Sequence, residues 1–192
     1  MLGAIAAGGA GLAVPRSFAS AICGEQPVLL PKALAALDAH AASIPHRDVI
    51  GVVNFAARSG LPRFQLVDVA GGRVLRTMLV SHGRGSDPNN SGWAERFSNI
   101  PGSNASSTGA FLVGQTYWGK HGQSRKLRGL DPENSLAEPR AIVIHGADYV
   151  DPSRAVEQGR VGRSQGCFAV SRGDIDDLLG LLGPGRLLFA AR

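Results

Sequence analysis

The chain has 192 residues, a mass of 19.9 kDa, a formal net charge of +5 and a pI near 9.9, the length of one domain or of one domain with an appendage. With 44% hydrophobic and only 18% charged residues it falls outside the disordered class, and 37 Gly and Pro residues exclude a helical bundle, because interior breakers weaken helices. The expected fold class is mainly β with a few helices. The basic residues (17 Arg among 20) are scattered and aromatics are few, which indicates a solvated surface and no nucleic-acid groove.

In chain order, Leu2 to Val14 are small and apolar but fall short of the ~20 residues that a membrane helix requires. Pro15 ends the run, and Ala19-Ser20-Ala21 supplies a cleavage pattern, so residues 1–21 have the order of a signal peptide, although no basic residue precedes the apolar run and Arg16 follows it. Export is the expectation, with no integral membrane span after processing; Ile22 is too bulky for a lipid anchor on Cys23. Residues 22–47 are expected to form an N-terminal helical extension, with a helix over Pro31 to Ala42, and residues 48–192 the folded domain. Val49 to Val53 is a buried strand by composition. Arg63 to Val69 and Arg73 to Val80 form a hairpin around Ala70-Gly71-Gly72. Ser81 to Ser107 is a polar loop long enough to be functional or mobile. Gly109 to Trp118 and Ala141 to Ile144 are further strands, Asp151 to Gln158 a short helix, Ile175 to Leu182 a closing helix behind a capping box at Ser171 to Asp174, and Leu187 to Ala190 a last strand.

Several chemical motifs can be set aside. Gly114 to His121 nearly matches a phosphate loop, but His121 stands where a Ser or Thr must bind Mg²⁺. Asp131, Glu133 and Glu138 are solvated loop carboxylates rather than a glycosidase pair. His82, His121, His145 and Cys167 match no zinc spacing, so no metal site is expected. The two cysteines, Cys23 and Cys167, allow at most one disulfide, and Cys167 is read as a free thiol.

One constellation carries chemistry. His145-Gly146 follows an apolar strand, and Ser164-Gln165-Gly166-Cys167 makes a Gly-containing turn 18 residues later. An imidazole that takes a thiol proton and a turn whose N–H groups face an oxyanion are the parts of a Cys–His nucleophilic pair. On the residues alone, an inert buried Cys beside a satisfied core His fits equally well.

These motifs resemble the L,D-transpeptidase catalytic domain (YkuD-like), whose signature is a His-Gly pair followed by S-x-G-C; Ser107 to Phe111 and the Arg63 to Val80 hairpin also resemble that family. Three departures stand out: Gln165 replaces a common His, the His-to-Ser spacing is slightly long, and Ala169 stands where many members carry Arg or Asn. The resemblance implies a β-sandwich-like catalytic domain over residues 48–192, periplasmic peptidoglycan chemistry and no cofactor. It implies Cys167 as nucleophile on stem peptides, with D-Ala released and 3→3 crosslinks formed. His145 would be acid and base, held by the carbonyl of Gly146, with the N–H groups of Gln165, Gly166 and Cys167 around the oxyanion. Ser164, Arg163 and Arg172 would bind substrate, either arginine replacing the missing carboxylate ligand. An imidazolium at His145 would lower the thiol pKa into a range of about 3.5–7.5. The alternatives are an L,D-carboxypeptidase, another Cys peptidoglycan hydrolase, or a non-catalytic wall-binding module.

Overall fold

The structure, a computed structural model, describes residues 27–192; the expected signal peptide and Cys23 lie outside the described residues. Eight strands form a single sheet in the order β3-β2-β1-β8-β4-β5-β6-β7. They are β1 (Val49–Asn54), β2 (Phe64–Asp68), β3 (Arg73–Met78), β4 (Gly109–Gly119), β5 (Gly122–Gly129), β6 (Val143–Gly146), β7 (Phe168–Val170) and β8 (Leu187–Ala191). The β1–β8 and β6–β7 pairs are parallel and the rest antiparallel. Three helices accompany the sheet: α1 (Leu30–Ala39), α2 (Pro152–Gln158) and α3 (Ile175–Leu181).

The two ends of the sheet meet. Beyond β3, the N–H of Ser81 donates to Ala169 O of β7 at 2.8 Å, so the strands wrap around one interior and the fold is mainly β and sandwich-like. Side chains alternate across each strand, which decides what the interior holds. Phe64, Phe111, Ile144, Phe168 and Leu188 face inward with Leu178 of α3. On the outer face, α1 lays Leu30, Ala33 and Leu37, at helical spacing, over Ile50, Val52, Leu187 and Phe189.

Strand β5 was not foreseen, and it decides the site. Its sequence, Gly122 to Gly129, buries Leu127 in the core, while the two terminal nitrogens of the Arg125 guanidinium donate to Leu182 O and Thr116 Oγ1. β4 and β5 close on a two-residue turn, Lys120-His121, between the paired Gly119 and Gly122, with Gly122 at φ +80°. Since β5 also pairs with β6 (Ser124 opposite His145), that turn sits beside the histidine. The Ser81 to Ser107 loop is pinned by its own polar groups, with Ser81, His82, Ser86, Asp87, Ser106 and Ser107 buried. Ser171 and Asp174 exchange hydrogen bonds in a turn ahead of α3, and the helix starts only after them.

Candidate active site

The β6–β7 register aligns Ile144 with Phe168 and His145 with Ala169. Ile144 and Phe168 point into the core, so alternation sends His145 and Cys167, the residue before Phe168, to the opposite face. Both line one cavity of about 640 Å³. Phe168 fixes the strand that follows Cys167, with its ring 5.9 Å from that of Phe55 and 5.4 Å from that of Phe111.

The turn before Cys167 is held by Ser164. Its hydroxyl donates to Cys167 O at 2.7 Å and accepts from the Gly166 N–H at 3.1 Å, and its own N–H donates to His82 O at 2.9 Å. Gly166 has φ +116°, and a Cβ there would lie 2.7 Å from Ala105 O, so only glycine suits the position. The Gly166 N–H, expected to face an oxyanion, is thus already engaged, and of the three expected donors those of Gln165 and Cys167 are left.

His145 is 2% exposed, and its Nδ1–H donates to Gly146 O at 3.0 Å, which leaves Nε2 as the basic nitrogen. Burial pushes its pKa down to about 4; the Gly146 bond opposes this, and His121, Arg172 and Lys120 add to it. Cys167 directs its Sγ at Ala141 O, 3.6 Å away, from an alanine in the left-handed region at φ +54°. Burial pushes the thiol up, opposed by the Val143 N–H and by the charges of Lys120 and Arg140. Both shifts favour the neutral forms. Desolvation thus works against the thiolate–imidazolium pair that the resemblance implies, and the cations nearby work for it.

The other expected residues scatter. Gln165 is exposed at the cavity rim. Arg163 lines the cavity but donates to Asp87 O. Arg172 is not among the lining residues: it is paired with the Asp148 carboxylate (Nε to Oδ1, 3.0 Å) and donates to His121 O at 2.9 Å, so it braces the β4–β5 turn. What the sequence did not reveal is the place of His121, whose ring stacks on His145 with centroids 4.1 Å apart, and the presence of Lys120, Arg140 and Tyr149 in the lining. The near phosphate-loop text, which ends at Lys120-His121, was the available signal, but it could not be placed without β5.

Behind the turn lies a buried network. Arg63 donates through Nη2 to His82 Nδ1 at 2.8 Å, and His82 Nε2–H donates to Asp87 Oδ2 at 3.2 Å. Arginine can only donate and the carboxylate only accepts, so the His82 tautomer is fixed. Burial, with the Arg63 charge, pushes His82 down to about 4, and burial pushes Arg63 down to about 9. Burial would raise Asp87, but donors from Ser91, Gly92 and His82 outweigh it and hold the carboxyl below its usual range. Backbone carbonyls of this network receive the Ser164 N–H and the Arg163 guanidinium, which ties it to the turn before Cys167. Among the described residues, no three His, Cys, Asp or Glu side chains converge as metal ligands, and no helix is long and apolar enough to cross a membrane.

The chain matches the model of the L,D-transpeptidase catalytic domain over residues 24–191. Among curated proteins, none matches. Solved structures similar to it include an L,D-transpeptidase from Xylanimonas cellulosilytica, 20% identical over 84% of this chain and 70% of that one, with a TM-score of 0.45. L,D-transpeptidase 3 from Mycobacterium tuberculosis, bound to a faropenem-derived adduct, is 13% identical over 76% and 60%, with a TM-score of 0.49. An L,D-transpeptidase from Mycobacterium smegmatis is 15% identical over 76% and 59%, with a TM-score of 0.47. The chain spans about three-fifths of the length of these mycobacterial chains.

Proposed function

The chain belongs to the L,D-transpeptidase catalytic-domain family, and from that premise we propose that it is a cysteine L,D-transpeptidase acting on peptidoglycan stem peptides in the cell envelope, after export to the periplasm. The observation that carries the reading is the placement of Cys167 and His145 on one face of adjacent strands, in a cavity whose charged lining residues are Lys120, Arg140 and Arg163, with no carboxylate among them.

The neutral pair sets the order of events. As Sγ of Cys167 attacks the carbonyl carbon of the third stem residue, Nε2 of His145 takes the thiol proton, so thiolate forms with the new bond rather than before it. The oxyanion faces the N–H groups of Gln165 and Cys167 and the cations of the cavity. The imidazolium, being a strong acid in this buried site, then gives its proton to the nitrogen of the departing D-Ala, leaving a thioester. A neutral acceptor amine from a second stem attacks the thioester, His145 takes its proton and returns it to Sγ, and a 3→3 crosslink results. Water in place of the amine gives carboxypeptidase activity. No step calls for a metal or an organic cofactor.

Incubating the purified protein with disaccharide-tetrapeptides and reading the products by mass spectrometry tests this. The expected result is loss of D-Ala with crosslinked dimers. Loss of D-Ala without dimers would make the enzyme a carboxypeptidase; cleavage elsewhere, or no change, would refute the reading.

A further inference from the structure

The charges around the cavity are one-sided. Lys120, Arg140 and Arg163 line it and no Asp or Glu does, so it is built to receive an anion. The arginines are already committed to the protein's own carbonyls. Arg140 donates to Ser98 O at 2.6 Å, to Ala105 O and to Ser103 Oγ, which fastens the Ser81 to Ser107 loop to the chain before β6. Arg163 donates to Asp87 O, and Arg172, outside the lining, is paired with Asp148. Lys120 differs from all three. It is exposed, and among the described residues its ammonium takes part in no hydrogen bond or ion pair.

Its position is nonetheless fixed. The turn that carries it is closed by the Gly119–Gly122 pair, its neighbour His121 stacks on His145, and Arg172 holds His121 O. An ammonium on a pinned turn at the mouth of a cation-lined cavity, with three donors and no internal acceptor, is ready for a carboxylate from outside.

We propose that Lys120 is the anchor for a free carboxylate of the donor peptide and sets a preference for acidic over amidated donors. This rests on the proposed peptidoglycan activity for the identity of the peptide, but not on the chemistry at Cys167. A charge-assisted bond of this kind corresponds to about ten- to hundredfold in affinity.

The test uses a tetrapeptide donor with free carboxylates and two versions of it, one amidated at the C-terminus and one amidated at the side-chain carboxyl of the third residue. Affinities are measured by calorimetry on Cys167→Ala protein with Lys120 intact, with Lys120→Gln and with Lys120→Arg; kcat/KM is measured on the same Lys120 series with Cys167 present. With Lys120 intact, one of the two amidations weakens binding about tenfold or more. Lys120→Gln binds the free acid as weakly as that amide, and Lys120→Arg restores most of the difference. If Lys120→Gln still prefers the free acid by the same factor, or if neither amidation matters with Lys120 intact, the anchor is refuted. Retained discrimination in binding without turnover by the enzyme with Cys167 would refute the transpeptidase reading and leave the anchor standing.

Discussion

His82 and His145 are both buried, at 1% and 2% exposure, and burial pushes both imidazoles down to about 4. They differ in what their nitrogens meet. His82 accepts from Arg63 at one nitrogen and donates to Asp87 with the other, so it has nothing left to offer a substrate. His145 spends only Nδ1, on Gly146 O, and lines the cavity that holds Cys167. A shifted pKa therefore does not separate the two histidines; a ring nitrogen left open in the cavity that Cys167 lines does, and on that ground His145 is the one proposed as the general base.

The sharpest way to break this comparison is to remove each ring in turn. His145→Ala is expected to slow acylation of Cys167 by about 10²–10⁴-fold, since that is what a general base contributes, with a much smaller effect on stability. Stopped-flow acylation alongside urea denaturation reads both quantities. His82→Ala is expected to act the other way. It leaves Arg63 and Asp87 buried without their bridge, which costs about 3–5 kcal/mol, seen as a lower urea midpoint. A His82→Ala protein of unchanged stability that had lost acylation would reverse the two assignments.

A further effect on stability comes from pH, and here the two histidines act together. Each folded-state pKa is lowered from the ordinary 6.5 to about 4, so below 6.5 the unfolded chain binds protons that the folded one refuses. Their contribution to stability is complete above that value and is lost as the pH falls toward 4, by roughly 3 kcal/mol per histidine. Urea midpoints at pH 7.5 and 4.5 should show the loss, and His82→Gln should remove about half of it. A stability independent of pH over this window would mean that neither imidazole is held neutral by burial.

Much of this architecture was legible in the sequence, and the failures have specific physical reasons. Strands such as Val49 to Val53 and Leu187 to Ala190 declare themselves because both their faces are buried, so nearly every residue is apolar. β5 does not, because Ser124 and Arg125 are buried by hydrogen bonding rather than by apolar packing, which leaves no alternation to read. With β5 unseen, the Lys120-His121 turn could not be placed beside His145. Arg63 looked like a polar residue opening a strand, and nothing local indicates that it turns inward onto Val80 O and His82. At the site, His145-Gly146 and residues 164–167 were found through their resemblance to a known signature, whereas the arginines proposed for substrate were chosen by proximity in sequence. The structure pairs Arg172 with Asp148, and the cavity cation without a partner among the described residues, Lys120, lies on the β4–β5 hairpin. The charge state was not legible for a related reason: a Cys–His motif names the residue types, but the balance between desolvation and nearby cations appears only once burial is known.

The central claim, that Cys167 and His145 rest as a neutral pair and exchange their proton only when substrate is attacked, is tested most directly by the rate of Cys167 alkylation with iodoacetamide as a function of pH. Iodoacetamide reacts with thiolate, so the profile titrates the sulfur itself. Peptide mapping restricts the signal to Cys167. The account predicts a rate that stays low through neutrality and climbs only in the alkaline range, above the free-thiol value of about 8.5. A plateau already reached below pH 7, and abolished in His145→Ala, would show a preformed thiolate–imidazolium pair and contradict it.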